Sequence, residues 1–119
     1  LPFADLHDAW FLGWMQKEGF VYIVTNATRS VLYTGVTSNL VQRIDQHRRG
    51  TFEGFTKDYL VDRLVFVEHH ESIEDAIGRE KQIKGKTRAK KVTLIEAMNA
   101  NWEDLFEKNF RRDPSLRSG

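Results

Sequence analysis

Two short runs of β-branched and aromatic residues dominate the early hydrophobic pattern. Residues 20–25 (Phe-Val-Tyr-Ile-Val-Thr) and 31–36 (Val-Leu-Tyr-Thr-Gly-Val) both favour extended structure. The polar Asn26-Ala27-Thr28-Arg29-Ser30 between them reads as a hairpin loop. Pairing Thr25 with Ser30 sets Tyr22 directly opposite Tyr33, so that both phenols leave one face of the sheet. A slip of one residue would send them to opposite faces. Helical spacing follows. Thr37 or Ser38 can cap a helix through Leu40, Val41, Ile44 and His47, ending at Gly50, with Arg43 and His47 bordering its apolar stripe.

Beyond that helix, residues 51–62 have no regular period, and 63–69 read as a third strand. Ser72 with Asp75 makes a capping box for a helix to Lys84, stopped at Gly85. Thr87 starts another helix through Val92, Ile95 and Met98. Asn101 with Asp104 opens a last one carrying Trp102, Leu105, Phe106 and Phe110. The order ββα, β, then helices predicts an α+β domain: a small three-stranded antiparallel sheet flanked by helices. Residues 1–17 read as an N-terminal extension, 18–110 as the domain and 111–119 as a tail.

Composition narrows the classes. At 119 residues the chain has the size of one ordinary domain. Its 40% hydrophobic and 29% charged content exclude a disordered chain, and no apolar run approaches the length that crosses a bilayer. Cysteine is absent, which excludes disulfides, a thiolate nucleophile and a Cys-ligated zinc site, and fits a cytoplasmic protein. Net charge is only +1, yet cations cluster. Between residues 79 and 91 lie Arg79, Lys81, Lys84, Lys86, Arg88, Lys90 and Lys91 against Glu80 alone. That makes a basic face suited to a phosphate backbone, or else an ordinary solvated helix surface. Lys84, Lys86, Arg88, Lys90 and Lys91 are the candidate nucleic-acid contacts.

Glu80 is the oddest placement. It lies on the stripe of Ile73, Ala76, Ile77 and Ile83, where a carboxylate is costly unless paired or bound to a metal. It either forms an ion pair with Arg43, Arg79 or a nearby lysine, or holds one Mg²⁺ or Mn²⁺. Such an ion accepts one carboxylate and keeps most of its waters. Tyr22 and Tyr33 are common strand residues, but a cation beside one would favour its phenolate and make proton abstraction feasible. Arg43 can supply that field and bind phosphate oxygens, and His47 can serve as base, proton donor or phosphate contact. His69 and His70 point to opposite faces of a strand and cannot chelate one ion together.

Phe20-Val21-Tyr22 and, ten residues on, Tyr33-Thr34-Gly35 resemble the paired motif of the GIY-YIG nuclease superfamily. The likeness continues through Asn39–His47, Glu53-Gly54-Phe55-Thr56, Arg79-Glu80-Lys81-Gln82-Ile83-Lys84 and Asn99-Ala100-Asn101-Trp102, covering roughly residues 18 to 110. The layout is similar to that of the small single-domain bacterial proteins of this superfamily.

The resemblance implies a divalent-metal-dependent endonuclease that hydrolyses phosphodiesters in DNA, with RNA as the other candidate polymer. In it Tyr22 would activate or position water, supported by Tyr33. Arg43 would stabilise the phosphate, His47 would act near the leaving group, Glu80 would hold one metal ion, and Asn99 would orient the site. Only the tyrosines and the glycine keep the motif's lettering. Relatives in excision repair, homing or restriction find targets through added domains, for which this chain leaves little room. Target choice, expected of a monomer, then falls to the site, the basic face or a partner. The rival expectation is a non-catalytic nucleic-acid-binding module on the same fold.

Overall fold

A computed structural model describes residues 17–50 and 60–111. The expected extension up to residue 16, the Glu53–Thr56 motif with the rest of 51–59, and the tail from 112 lie outside the described residues. Strand β1 (Gly19–Thr25) is central, with β2 (Leu32–Thr37) and β3 (Arg63–His70) antiparallel on either side. The α+β expectation of a three-stranded antiparallel sheet with flanking helices holds.

The hairpin register differs from the expected one. Thr25 pairs with Leu32, Tyr22 with Gly35, and Tyr33 with Val24. Asn26 causes the slip by folding into the loop. Its Oδ1 accepts from the Val31 N–H at 3.1 Å, its Nδ2 donates to Ser30 Oγ at 2.8 Å, and its carbonyl accepts from Arg29 N–H. Arg29 takes the left-handed conformation (φ 58°) and closes the turn. Val31 is thereby withdrawn from the ladder. Because the slip is two residues, facing is preserved, and the phenols become diagonal neighbours on one face instead of a direct pair.

Helix α1 (Leu40–Arg49) is capped by Asn39, whose side chain accepts from the Gln42 N–H at 3.1 Å, and not by Ser38 or Thr37. The Thr37 hydroxyl instead accepts from Asn39 N–H and turns the chain into the helix. Gly50 ends it in the left-handed region, as its place after the periodic run suggests. Helices α2 (Ile73–Lys84) and α3 (Arg88–Met98) begin at Ser72 and Thr87, each accepting from the N–H three residues on.

Two apolar clusters lie on the two faces of the sheet. Val21, Ile23, Val65 and Phe66 meet Ala76 and Ile83 of α2, Ile95 of α3, and Trp102. Tyr22, Val24 and Leu64 meet Leu40 and Ile44 of α1, with Val61, Leu105 and Phe106. A bulge supplies β3 to both. Ile23 pairs with Phe66 but Val24 with Leu64, so Val65 is the extra residue and joins Phe66 on the α2–α3 face. At Gly19 a Cβ would meet the Ala76 Cβ at 2.6 Å, so its bare backbone sets how closely α2 approaches β1.

After α3 the chain turns from one face to the other. The expected helix start at Asn101 is replaced by a corner built on Asn99. Its Nδ2 donates to the carbonyls of Val65 (3.0 Å) and Glu103 (2.8 Å), and its Oδ1 accepts from Glu103 N–H (2.9 Å). Trp102 sits in the corner at φ 55°, its indole N–H on Glu96 and its ring under the Arg29 guanidinium. The corner brings Leu105 and Phe106 to the α1 face. There Arg48 of α1 pairs with Asp104 and Glu107 and lies over the Phe106 ring. A π-helical turn, Glu107–Arg111, ends the described part.

Candidate active site

Tyr22 is fully buried, although it carries the hydroxyl of interest. Its ring lies across the bare backbone of Gly35, its partner on β2. A Cβ there would stand 2.3 Å from the phenolic oxygen. Glycine at this position is therefore required by the tyrosine and not by a turn. The hydroxyl meets Nε2 of His47 at 3.0 Å, within a helix–sheet interface that leaves His47 2% exposed. Tyr33 completes the cluster, its ring edge-on to His47 with centroids 5.4 Å apart.

Burial controls the protonation of this pair. Desolvation drives the Tyr22 phenol well above its ordinary value, against the opposing charge and hydrogen bond of Arg43. The Tyr33 and Glu80 charges push it further up. Desolvation, followed by Arg43, holds the His47 imidazole down at about 4. At neutral pH both groups are uncharged, and Arg43 is the cation beside them.

Glu80, on α2, makes itself felt at the Tyr22 hydroxyl from the other side of the sheet. Its side chain is only 12% exposed, and its Oε2 takes the Lys84 ammonium at 3.0 Å, one helical turn on. Arg79, the neighbouring cation, is drawn away to Glu68 at 2.9 Å. The β3 bulge turns Glu68 toward α2, where burial works to raise its pKa but hydrogen bonds from Arg79 and His70 outweigh it and bring it down. Of the ion-pair partners open to Glu80 from sequence, the structure realises the lysine. Ile77, expected on the buried stripe, is half-buried.

Tyr22, Tyr33, Arg43, His47 and Glu80 thus come together from β1, β2, α1 and α2. Asn99 does not join them: its amide is spent on the backbone of Val65 and Glu103. Arg88 donates to the carbonyls of Arg29 and Ser30 and holds the hairpin loop, whereas Lys84, Lys86, Lys90 and Lys91 line the α2–α3 junction. His69 and His70 pair separately with Glu18 and Glu68. Lys84, expected among the nucleic-acid contacts, is the nearby lysine that pairs with Glu80. The signal of that pair was a glutamate four residues before a lysine on a helix.

The family model of the GIY-YIG catalytic domain matches residues 18–93. The chain belongs to the GIY-YIG family. That family is a nuclease superfamily, and the matched span holds all five converging residues. A relative from Staphylococcus aureus, a UPF0213 protein, is 40% identical over 77 residues, 65% of this chain and 93% of its own. A UPF0213 protein of Pediococcus pentosaceus is 31% identical over 79 residues, 66% of this chain and 83% of its own. The solution structure of a UPF0213 protein from Bacillus halodurans is 28% identical, covering 77% of this chain and 97% of that one, with a TM-score of 0.49. These names state no activity. Trp102, Leu105 and Phe106, which complete both cores, fall beyond the matched GIY-YIG span.

Among the described residues no three His, Cys, Asp or Glu side chains gather to cage a metal. The donor set that does exist, one enclosed carboxylate whose charge is felt at the Tyr22 phenol, fits an ion that takes a single protein ligand and keeps its waters. Glu80 is the residue that would hold it.

Proposed function

We propose that this protein is a divalent-metal-dependent endonuclease that hydrolyses phosphodiester bonds in DNA, with little reading of base sequence. The observation that carries the reading is the gathering of Arg43, His47 and the Glu80 charge, from α1 and α2, around the one buried hydroxyl of Tyr22 on β1. A bound Mg²⁺ or Mn²⁺ at Glu80 would supply positive charge to the phosphate and acidity to the attacking water.

The chain's own groups do the rest. Arg43 offers a fixed fork of donors to the non-bridging oxygens as negative charge grows on them. Tyr22, held neutral by burial, acts in the resting site as a positioning group: its oxygen accepts from Arg43, and the hydroxyl is hydrogen-bonded to His47 Nε2, to which it donates when that nitrogen is the unprotonated one. This orders water and phosphate without a standing phenolate. His47, neutral at working pH, can take that proton when the phenol accepts one from water, and return it toward the leaving oxygen. Tyr33 packs the imidazole in place. Asn99 acts at a distance, by fixing β3 and the corner that returns the chain to α1.

Lys86, Lys90 and Lys91 give the substrate backbone a sequence-blind landing surface at the start of α3. A purely binding module would need those lysines but not an enclosed glutamate. The test is incubation with branched, flapped and single-stranded DNA in Mg²⁺ or Mn²⁺. Cleavage by the wild type, lost in Glu80→Ala and in Arg43→Ala, is expected. Binding without cleavage under every condition would instead assign the binding module, and cleavage surviving in Glu80→Ala would remove its metal role.

A further inference from the structure

We propose that Lys84 holds the Glu80 carboxylate until a divalent ion arrives, and that its displacement frees the same ammonium to bind a substrate phosphate. This rests on the metal role of Glu80 proposed above. Three observations carry it. Lys84 Nζ lies 3.0 Å from Glu80 Oε2; the glutamate side chain is 12% exposed while the lysine is 53% exposed; and Lys84 is the last residue of α2, beside Lys86 at the α2–α3 junction.

A carboxylate enclosed to this degree needs a counter-charge. Arg79 is committed to Glu68, so the counter-charge comes from the next turn of the same helix. An ammonium and a divalent ion on one carboxylate repel each other strongly in a partly dry site. The lysine is the partner that can leave, because its long, half-exposed stem lets the head swing outward at little cost. Lys86 follows two residues on at the α2–α3 junction, so the released charge adds to a basic stretch of chain suited to phosphate.

The pair therefore couples two events. In the nucleic-acid-free protein Lys84 weakens metal binding. Once nucleic acid has drawn the ammonium off, metal binding tightens, and by reciprocity metal strengthens the hold on nucleic acid.

The experiment measures Mn²⁺ binding by electron paramagnetic resonance on the full chain without nucleic acid. Wild type, Lys84→Gln, Lys84→Arg and Glu80→Ala are compared, with thermal unfolding confirming that each variant is folded. Lys84→Gln is expected to bind Mn²⁺ about fivefold more tightly, as loss of one nearby like charge predicts, and Lys84→Arg to stay within about twofold of wild type. Unchanged or weaker binding in Lys84→Gln, with binding lost in Glu80→Ala, would overturn the role of Lys84 and leave the metal role of Glu80 standing. Equal binding by wild type and Glu80→Ala would overturn both.

Discussion

The two faces of the central sheet are built on opposite policies. Under α2 and α3 the packing is largely apolar, and among the buried polar side chains there Asn99 spends its amide on backbone partners. Under α1 the packing is interrupted by a phenol and an imidazole that bind each other, close to a guanidinium. Polar groups buried to fix a chain corner and polar groups buried to stay adjustable look alike in an exposure profile. Their partners separate them. Asn99 is saturated by groups that cannot move, whereas Tyr22 and His47 bind side chains whose protonation can change. The second face carries the adjustable pair, while the first contributes Glu80 from α2 and the packing that lets the fold carry such a pair.

The contrast is sharpest in variants that separate activity from stability. Removing Glu80 or Arg43 by alanine substitution is expected to lower cleavage by about 10²–10³-fold while changing unfolding free energy by less than about 1 kcal/mol. Parallel activity assays and denaturant titrations check this, and an equal loss of both would make the two residues parts of the fold and not of the chemistry. Gly35→Ala should act the other way. Its Cβ would collide with the Tyr22 ring from backbone that cannot yield, at a cost of about 2–4 kcal/mol, visible as a lower urea midpoint. Asn99→Ala should cost about 2–3 kcal/mol through the backbone groups it leaves unpaired, yet Mn²⁺ affinity of the folded fraction should be unchanged. Altered metal affinity would place Asn99 nearer the site than its contacts do.

The imidazole gives a pH signature. Unfolded, His47 titrates near its ordinary value of about 6.5; folded, it is held at about 4, so the unfolded chain binds the extra proton between these values. Stability from the buried neutral ring is complete above pH 6.5 and is lost as pH falls toward 4, by about 2–3 kcal/mol. Unfolding curves of His47→Gln should lack that slope. The contribution of Glu68, whose pKa is depressed, also fades on acidification but is common to both proteins and cancels. The smallest effect belongs to the surface. DNA affinity should fall with salt, with a shallower slope after neutralising Lys86, Lys90 and Lys91 together. An unchanged slope would move the contact surface elsewhere.

Sequence patterning carries the strand order, the helix starts at Ser72 and Thr87, and the pairing of two tyrosines with Arg43, His47 and Glu80. These are local choices of residue type and spacing. What it does not carry depends on contacts between distant parts. The hairpin register turns on how the Asn26 side chain folds into its loop, and the tyrosines still share a face because the resulting slip is even. The bulge at Val65 leaves no trace in the alternation of β3, though it decides that Arg79 meets Glu68 and leaves Glu80 to Lys84. Asn99 could be flagged only by resemblance. Its role as the fastener of a corner depends on the Val65 carbonyl, thirty-four residues earlier.

A crystal grown in Mn²⁺ and recorded at an energy where manganese scatters anomalously tests the convergence most directly. One anomalous peak is predicted about 2.2 Å from a Glu80 carboxylate oxygen, on the side of Tyr22 and Arg43, with the Lys84 ammonium swung away. A peak at the Glu103, Asp104 and Glu107 carboxylates with none at Glu80, or Lys84 still on Glu80 beside fully occupied manganese, would contradict it.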